Sequence, residues 1–328
     1  MLFLSDADTQ RILNWPDVIA CLANVYSQDI PPHAAPPRVV ARMDAAWLRA
    51  LTAMSTTRKY MGAKVIGRSR RSNVSYLIAL WSQETSELVC LLDGKTVTAM
   101  RTAGTSAVAM DRLLKQEPVR VAVLGSGHEA RTHAEAVAAI RPIQSLAVYS
   151  PTPANREKFV REFSARHQTE CRAADSAQAA VQAADLVIAA ARSHNEQPIL
   201  EGKWLTPGTL VVSIGSTLPE QIEVAPDVIA RAEFIIADVP AEVAHETGDM
   251  IAARKAGVAF ENKVMALSNF IQQKQIVTLT NDNVVLFKSV GSGIQDMAVS
   301  EMCYETALKL GVGAQLPLEL AVKGPARK

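Results

Sequence analysis

The segment that most constrains the fold is a glycine turn in the stretch VRVAVLGSGHEA, residues 119–130. An apolar run typical of a buried strand leads into it, and a helical pattern follows. In a dinucleotide-binding fold the first glycine permits the tight turn, the second lets the backbone approach a pyrophosphate, and a small third residue lets the helix pack closely on the strand. The predicted cofactor-binding residues here are Gly125, Ser126, Gly127, His128, Glu129 and Ala130.

Strand-like and helix-like segments alternate through the rest of the middle of the chain. The strand-like runs are almost continuously apolar, as expected for a parallel sheet covered on both faces; they include DLVIAAA, TLVVSIG, EFIIADV and VVLFKSV. This alternation predicts a Rossmann-type, doubly wound α/β nucleotide domain over residues 116–296.

The region before the glycine turn has a different pattern. A helix is predicted over 16–28, and a proline-rich loop, DIPPHAAPP, follows it. Turn-like stretches then separate strand-like segments at 38–42, 60–67, 75–82 and 88–94. Because no spacer of helix length separates the last three, an antiparallel meander is expected. Helices are predicted over 96–114 and at the C-terminal end.

Composition excludes several classes of protein. The net charge is +1, with 34 basic and 33 acidic residues, so nothing favours nucleic acid or an anionic membrane as a partner. The four cysteines are scattered and the histidines show no metal-ligand spacing, so neither a disulfide framework nor a metal site is expected. The N-terminal residues do not resemble a signal peptide, and no apolar run reaches the ~18 residues of a membrane helix. A cytoplasmic protein is expected.

The segment after the second strand of the nucleotide domain bears on the choice of cofactor. NAD enzymes usually carry an acidic residue there to bind the ribose hydroxyls. This chain has no acid at that point, and offers Ser150, Thr152, Arg156 and Lys158 instead. We therefore expect NADP(H) in preference to NAD(H), with Ser150, Thr152 and Arg156 near the 2′-phosphate. The alternative is that Arg156 and Lys158 form the solvated face of the next helix.

Five motifs together resemble the ornithine cyclodeaminase/mu-crystallin family, in order and at family-like spacing over nearly the whole chain. They are GAKVIG (62–67), AMRTAGTSAVA (99–109), the glycine turn, SIGSTLPEQIEV (213–224) and VLFKSVGSGIQDMAV (285–299). The resemblance implies that the nucleotide domain is inserted in an α+β substrate-binding and dimerisation domain, formed by residues 1–115 and about 297–328, with a mainly antiparallel sheet. It also implies a homodimer.

The resemblance further implies that Arg38, Lys64 and Arg101 line the substrate site. Their chemistry suits an amino-acid-like substrate, since a guanidinium can hold a carboxylate by two parallel hydrogen bonds. A lysine flanked by apolar residues on a strand is a candidate for a lowered pKa and proton transfer to nitrogen. The alternatives are charges on edge strands for Arg38 and Lys64, and a helix-surface position for Arg101. Arg42 competes with Arg38 for its role.

The chain departs from the family at Thr217. The resemblance aligns Thr217 with a position at which cyclodeaminases and the related archaeal alanine dehydrogenases carry an aspartate. That aspartate acts on the reacting amine or imine. A threonine hydroxyl can form hydrogen bonds but cannot serve as a carboxylate base. Glu220 or Glu223 could substitute, although Glu223 is expected to cap the following helix. The threonine favours reduction of an imine that is already formed, as in mu-crystallin-like ketimine reductases.

The last motif is expected to approach the nicotinamide through Lys288, Ser289, Val290 and Gly291. Asp296, one turn into the final helix, either faces the cleft or complements the helix dipole. The leading hypothesis is an NAD(P)H-dependent oxidoreductase that reduces an α-imino acid, such as pyrroline-2-carboxylate or a linear imine. The alternatives are an ornithine cyclodeaminase and a nucleotide-dependent small-molecule binder without turnover.

Overall fold

The computed structural model describes residues 1–71, 73–191, 197–318 and 320–322. His194 and the last residues of the predicted C-terminal segment lie outside them. The chain forms two compact units: unit 1 is Met1–Arg101 with Ser292–Lys328, and unit 2 is Thr102–Gly291.

The first part of unit 1 contains two short helices followed by a run of strands. Its elements are β1 (Leu2–Leu4), α1 (Asp6–Ile12), α2 (Trp15–Tyr26), β2 (Val39–Met43), β3 (Ala46–Met54), β4 (Tyr60–Arg68), β5 (Val74–Ser82) and β6 (Leu88–Asp93). Helix α3 (Lys95–Leu113) crosses from unit 1 into unit 2. The first unit boundary therefore divides a continuous helix, whereas the predicted boundary between residues 115 and 116 lies just beyond the end of that helix.

Unit 2 alternates strands and helices as predicted. Its elements are β7 (Val119–Leu124), α4 (His128–Ile140), β8 (Ile143–Tyr149), α5 (Pro153–His167), β9 (Glu170–Ala173), α6 (Ala177–Val181), β10 (Leu186–Ala189), β11 (Leu210–Ser213), α7 (Pro226–Arg231), β12 (Ala232–Ala237), α8 (Pro240–Glu246), α9 (Gly248–Lys255), β13 (Val264–Ala266), α10 (Leu267–Ile271) and β14 (Val284–Lys288). Unit 1 then resumes with α11 (Gly293–Leu310) and β15 (Ala314–Gln315).

The sheet of unit 2 is parallel and has, among the described residues, the strand order β13-β12-β14-β11-β10-β7-β8-β9. Strands β10, β11 and β14 are buried along their whole length, which accounts for their continuous apolar sequences. Strand order reverses beside β7, the strand that leads into the glycine turn. In a doubly wound sheet this switch point is where a dinucleotide binds.

The sheet of unit 1 has the order β15-β1-β6-β5-β4-β3-β2 within the described residues, and only its β1–β6 pair is parallel there. One face packs against α11, which contacts β3, β4 and β5, and α11 also packs on α2. The predicted fold class is confirmed. The sequence pattern does not predict β1, α1, β3, β13 or β15.

Candidate active site

Lys64 is the most deeply buried of the predicted substrate-site residues. It lies in the middle of β4, opposite Leu51 of β3 and Ile78 of β5, which are both buried. Since directly opposite residues of antiparallel strands point to the same face, Lys64 lies on the face that α11 covers. Its side chain has no exposed surface, and its Nζ lies 2.7 Å from Oδ1 of Asp296, which is also fully buried.

Asp296 comes from the first turn of α11, as predicted, and its carboxylate is fully buried. Ser292 caps this helix by accepting a hydrogen bond from the backbone NH of Ile294. Oδ1 of Asp296 forms a second ion pair with Nε of Arg101, at 3.0 Å. Oδ2 is buried and has no hydrogen-bond partner among the described residues. The carboxylate is thus held through one oxygen.

Arg101 is the last residue of the first segment of unit 1 and is almost fully buried. Its Nη1 donates to Oε1 of Gln295 at 2.8 Å, and Nε2 of Gln295 donates to the hydroxyl of Tyr26 at 2.8 Å. Gln295 of α11 therefore holds the guanidinium, and Tyr26 of α2 in turn holds Gln295. Neither Gln295 nor Tyr26 is predicted as a site residue, because their role depends on contacts distant in sequence.

The environment lowers the pKa of Lys64 from 10.5 to about 7. Burial is the main cause because it disfavours the charged ammonium, and the positive charge of Arg101 adds to it. Asp296 opposes this shift, and the charge of Arg38 contributes to it. A lysine with such a pKa can hold or release a proton near neutral pH.

The structure brings Arg38 and Arg101 to Lys64, all within unit 1. Arg38 is half-buried just before β2, near enough for its charge to lower the Lys64 pKa. Its competitor, Arg42, is exposed. Thr217 lies in unit 2, half-buried in the loop after β11, where its backbone NH and its hydroxyl both donate to Oε1 of Gln221, at 2.9 and 3.3 Å.

The glycine turn of unit 2 has the geometry that a diphosphate needs. Gly125 has φ +130°, and a Cβ there would collide with the carbonyl oxygen of Ala190. A Cβ on Gly127 would meet open space, so the backbone is accessible. Helix α4 begins at His128 and its N-cap residue, Gly127, has no side chain to cap it, so its first NH groups can bind an anion. Ala130 is fully buried where the helix packs on the sheet.

The ribose-side loop follows β8. Ser150 is buried, and its hydroxyl donates to the carbonyl of Thr152 at 3.4 Å. Nη1 of Arg156 donates to the carbonyl of Ser150 at 2.8 Å, and only 12% of this side chain is exposed. Lys158 is 61% exposed and lies near Glu162 of the same helix. The solvated-face alternative therefore holds for Lys158 but not for Arg156.

Asp238 organises the loop after β14, which was predicted to approach the nicotinamide. It accepts hydrogen bonds from the hydroxyl of Ser289 at 2.7 Å and from the NH groups of Val290 and Gly291, at 3.0 and 2.8 Å. Gly291 has φ +82°. Asp238 directly follows the apolar run of β12, and the carboxyl ends of parallel strands share one edge of the sheet. That position is the signal that could have predicted it.

Lys288 differs from the other three residues of this motif. Its side chain has no exposed surface, and its Nζ lies 2.6 Å from Oδ2 of Asp249 and 3.1 Å from the hydroxyl of Ser213. The ammonium is therefore directed into unit 2, and its environment does not support the predicted direct contact with a nicotinamide. Lys288 instead anchors the end of β14, from which Ser289, Val290 and Gly291 continue.

Glu223 belongs to the same buried network, and its predicted role as a helix cap is wrong. Helix α7 begins at Pro226, and the Glu223 carboxylate accepts hydrogen bonds from the NH of Ala191 and of Gly215, each at 2.9 Å, and from the Ser213 hydroxyl at 2.7 Å. Burial raises the Glu223 pKa to about 7, against the effect of Lys288. This carboxylate ties together the loops that follow β10 and β11.

Fold and site together define a class of protein. One unit has the doubly wound sheet and glycine turn of a dinucleotide-binding domain, and the other buries a lysine among a carboxylate and arginines. The chain belongs to the ornithine cyclodeaminase/mu-crystallin family, whose model matches residues 20–311. The predicted family is therefore confirmed. No helix within the described residues is long and apolar enough to cross a membrane.

Three relatives show the extent of this similarity. Delta(1)-pyrroline-2-carboxylate reductase of Bacillus cereus is 27% identical over 281 residues, which cover 85% of this chain and 83% of that protein. The reductase of the same name from Thermococcus litoralis, solved with NADH and L-proline, has a TM-score of 0.89 at 26% identity, covering 96% of this chain and 100% of that one. A probable ornithine cyclodeaminase from Bordetella pertussis has a TM-score of 0.85 at 25% identity, with coverage of 96% and 100%.

Proposed function

We propose that this protein is an NAD(P)H-dependent reductase that converts an α-imino acid, cyclic or linear, into the amino acid. The observation that carries the proposal is the buried cluster of Lys64, Asp296 and Arg101 in a chain of this family. The predicted enzyme class, an NAD(P)-dependent oxidoreductase acting on carbon–nitrogen bonds, is also that of the two pyrroline-2-carboxylate reductases.

Arg101 and Arg38 would bind the α-carboxylate of the substrate. Arg101 is the better fixed of the two, since Gln295 and Asp296 hold its guanidinium in one orientation. A guanidinium held in one orientation can bind a carboxylate with little loss of conformational entropy. This contact would place the adjacent imine carbon and nitrogen near Lys64.

Lys64 would provide the proton. A bound nicotinamide cofactor supplies the hydride that the imine carbon accepts, and reduction is complete when the nitrogen gains one proton. The Lys64 ammonium can donate that proton from Nζ, because its pKa of about 7 makes the release far easier than from an ordinary lysine. Asp296 would orient the ammonium and limit the fall of its pKa.

Thr217 favours reduction over cyclodeamination. Cyclodeaminases of the family carry an aspartate at this position that acts on the reacting amine or imine, and a threonine hydroxyl hydrogen-bonded to Gln221 cannot act as a carboxylate there. The carboxylate of Glu223 accepts three hydrogen bonds within the interior of unit 2, so it is engaged elsewhere. Reduction of an existing imine needs a proton donor, which Lys64 supplies.

We further propose NADP(H) as the preferred cofactor. The diphosphate would bind at residues 125–130, and the 2′-phosphate near Ser150, Thr152 and Arg156, where no acidic residue replaces the serine. Arg156 is held at the end of β8 by the Ser150 carbonyl and lies 3.6 Å from Asp175, and its guanidinium would provide the cation for a 2′-phosphate. The loop formed by Ser289, Val290 and Gly291, fixed by Asp238, would contact the nicotinamide end.

The predicted homodimer is proposed to form through the sheet of unit 1. The face opposite α11 carries exposed apolar side chains, between 40% and 72% exposed: Val39, Met43, Leu48, Met54 and Leu77. A continuous apolar face of this kind is typical of a protein–protein interface. Sedimentation of the wild-type protein and of a Leu48→Glu variant tests this, and a monomeric wild type would contradict it. A cytoplasmic location stays a prediction.

The function is tested by mixing the purified protein with NADPH or NADH and an imine. The imines are pyrroline-2-carboxylate, piperideine-2-carboxylate, and pyruvate or glyoxylate with an amine. We expect cofactor oxidation and formation of the amino acid. Proline and ammonia formed from ornithine without added cofactor would contradict the proposal and indicate a cyclodeaminase. Ligand-induced stabilisation without cofactor oxidation would indicate a binding protein.

A further inference from the structure

The glycine turn packs directly on the residue that follows β10. Strands β7 and β10 are parallel neighbours, and the NH of Ala190 donates to the carbonyl of Leu124 at 3.0 Å. A Cβ on Gly125 would lie 2.7 Å from the carbonyl oxygen of Ala190, so the two backbones are in direct contact. A shift of the loop after β10 would therefore change the space beneath the turn that is proposed to bind the diphosphate.

A buried carboxylate fixes that loop. The NH of Ala191 donates to Oε1 of Glu223, and the NH of Gly215, in the loop after β11, donates to Oε2, each at 2.9 Å. A Cβ on Gly215 would collide with Oε1 of Glu223 and would lie 2.8 Å from the carbonyl oxygen of Ala191. The two loops and the carboxylate are therefore packed too closely for a side chain to enter. Glu223 thus sets the position of Ala191, which adjoins the residue beneath the glycine turn.

These hydrogen bonds favour an ionised carboxylate. The Ser213 hydroxyl accepts from the Lys288 ammonium at 3.1 Å, so its own hydrogen is directed to Glu223, at 2.7 Å. Three donors thus converge on the Glu223 carboxylate, and a proton on either oxygen would compete with at least one of them. Charge-assisted hydrogen bonds are about twice as strong as neutral ones, so protonation would weaken the attachment of the two loops.

Glu223 can change its charge near neutral pH. It has no exposed surface, and burial, together with the negative charge of Asp249 of α9, favours the protonated form. The charge of Lys288 of β14 and the hydrogen bonds from Gly215 and Ser213 favour the ionised form. The balance raises the pKa of Glu223 from 4.5 to about 7. Both charge states are therefore populated near neutral pH.

We propose that Glu223 is a positioning residue for the dinucleotide: its ionised carboxylate holds the loop beneath the glycine turn in the arrangement that binds the diphosphate, and cofactor binding selects this ionised form. The inference rests on the proposed function, because it takes residues 125–130 as the diphosphate site. By thermodynamic linkage, a cofactor that binds the ionised form more tightly must release a proton from each molecule in which Glu223 was protonated. That proton leaves the carboxyl oxygen and is taken up by the buffer.

Isothermal titration calorimetry of the wild type with NADH measures this release. NADH is chosen because it lacks the 2′-phosphate, a group that itself titrates near pH ~6. Titrations in PIPES and in imidazole, whose ionisation enthalpies differ, give the number of protons released. We expect about half a proton per site at about pH 7, and almost none at about pH 9. The Kd for NADH should increase as the pH falls below about 7, approaching tenfold per pH unit.

Glu223→Gln separates positioning from packing. The amide keeps the shape of the side chain but cannot ionise, and its NH2 group would face one of the loop donors. We expect the Kd for NADH at about pH 8 to rise by about tenfold or more, and the proton release to disappear. Glu223→Asp keeps a carboxylate and should retain part of the proton release. The control is Glu246→Gln, which removes an equal charge from an exposed position on α8 of the same unit and should keep the wild-type values.

Two results would overturn the inference and leave the proposed function intact: NADH binding to the wild type without proton release at about pH 7, or proton release by Glu223→Gln equal to that of the wild type. The wild-type titration decides the question even if Glu223→Gln does not fold. If neither NADH nor NADPH binds the wild type, the proposed cofactor fails and the inference fails with it. Binding with proton release but without reduction of any imine would refute the proposed function alone.

Discussion

Each unit of this protein contains a fully buried lysine paired with a fully buried aspartate. In unit 1 Lys64 lies 2.7 Å from Asp296, and in unit 2 Lys288 lies 2.6 Å from Asp249. The two pairs are alike in burial and in distance, and they differ in the charged and hydrogen-bonding groups around them.

The Lys64 pair has an excess of positive charge around it. Arg101 pairs with the same oxygen of Asp296 as Lys64 does, and the charge of Arg38 lowers the pKa of Lys64. The second oxygen of Asp296 has no hydrogen-bond partner among the described residues. Such surroundings lower the pKa of the lysine, so it is more easily deprotonated. The second oxygen of Asp296 can still accept a hydrogen bond.

Around the Lys288 pair, the carboxylates of Asp249 and Glu223 and the hydroxyl of Ser213 are all engaged in hydrogen bonds. Both oxygens of Asp249 are engaged, one with the NH groups of Glu223 and Val224 and the other with Lys288. Ser213 links the lysine to the Glu223 carboxylate. We interpret the Lys288 cluster as stabilising the fold and the Lys64 cluster as taking part in the proposed reaction. The following predictions test that distinction.

The largest effect is expected for Lys64→Met. This variant should lower kcat/KM for imine reduction by about 10²- to 10⁴-fold, because it removes the proton donor. The Kd for NADPH should stay close to the wild-type value, since the proposed cofactor-binding residues are all in unit 2. Stopped-flow reduction and fluorescence titration of NADPH measure the two quantities. A Lys64→Met enzyme with wild-type turnover would remove Lys64 from the chemistry.

Lys288→Met should affect stability instead. Removing one partner of a buried ion pair leaves an uncompensated charge, which costs about 3–5 kcal/mol in the free energy of unfolding. Urea denaturation of both lysine variants measures the difference. We expect the smaller loss for Lys64→Met, because Arg101 still meets Asp296 there. If Lys288→Met is as stable as the wild type but inactive, the structural interpretation of this cluster is wrong.

Asp296→Asn should change the pH dependence of the reaction. Asp296 raises the Lys64 pKa, so replacing it with a neutral amide should lower that pKa further. The pH above which kcat/KM falls should therefore move down by about one unit or more. Profiles of the wild type and the variant provide the measurement, and a shift towards higher pH would contradict the assigned role.

The smallest effect is expected at the cofactor site. Arg156→Ala should lower the preference for NADPH over NADH by about tenfold, through loss of one charge-assisted contact with the 2′-phosphate. Lys158→Ala, which changes an exposed cation on the same helix, is the matched control. Equal effects of the two substitutions would show that Arg156 has no specific part in cofactor choice.

Much of this architecture is predictable from local sequence. The glycine turn, the buried parallel strands and the final helix follow from residue type and periodicity. Strand β3 is not predicted, because AWLRALTAM is rich in residues that also favour helices. It forms a strand because Arg49, Leu51 and Ala53 alternate onto the face that packs against α11.

The sites are predictable only in part. Family motifs locate Lys64, Arg101 and Lys288 but do not indicate which partner each ammonium or guanidinium meets. Lys64 meets an aspartate 232 residues away and Lys288 meets one 39 residues away, both brought close by tertiary packing. A motif identifies a residue but not its environment. The sequence therefore predicts direct contact between Lys288 and the cofactor, whereas in the structure the Lys288 ammonium pairs with Asp249.

The pH dependence of kcat/KM for imine reduction by the wild-type enzyme tests the central claim most directly. Lys64 must be protonated to donate, and its pKa is about 7. The value of kcat/KM should therefore be highest at low pH and fall as the pH rises through about 7, tending to tenfold per pH unit. A profile that is flat between about pH 6 and about pH 9, or that rises over this range, would contradict a proton-donating Lys64.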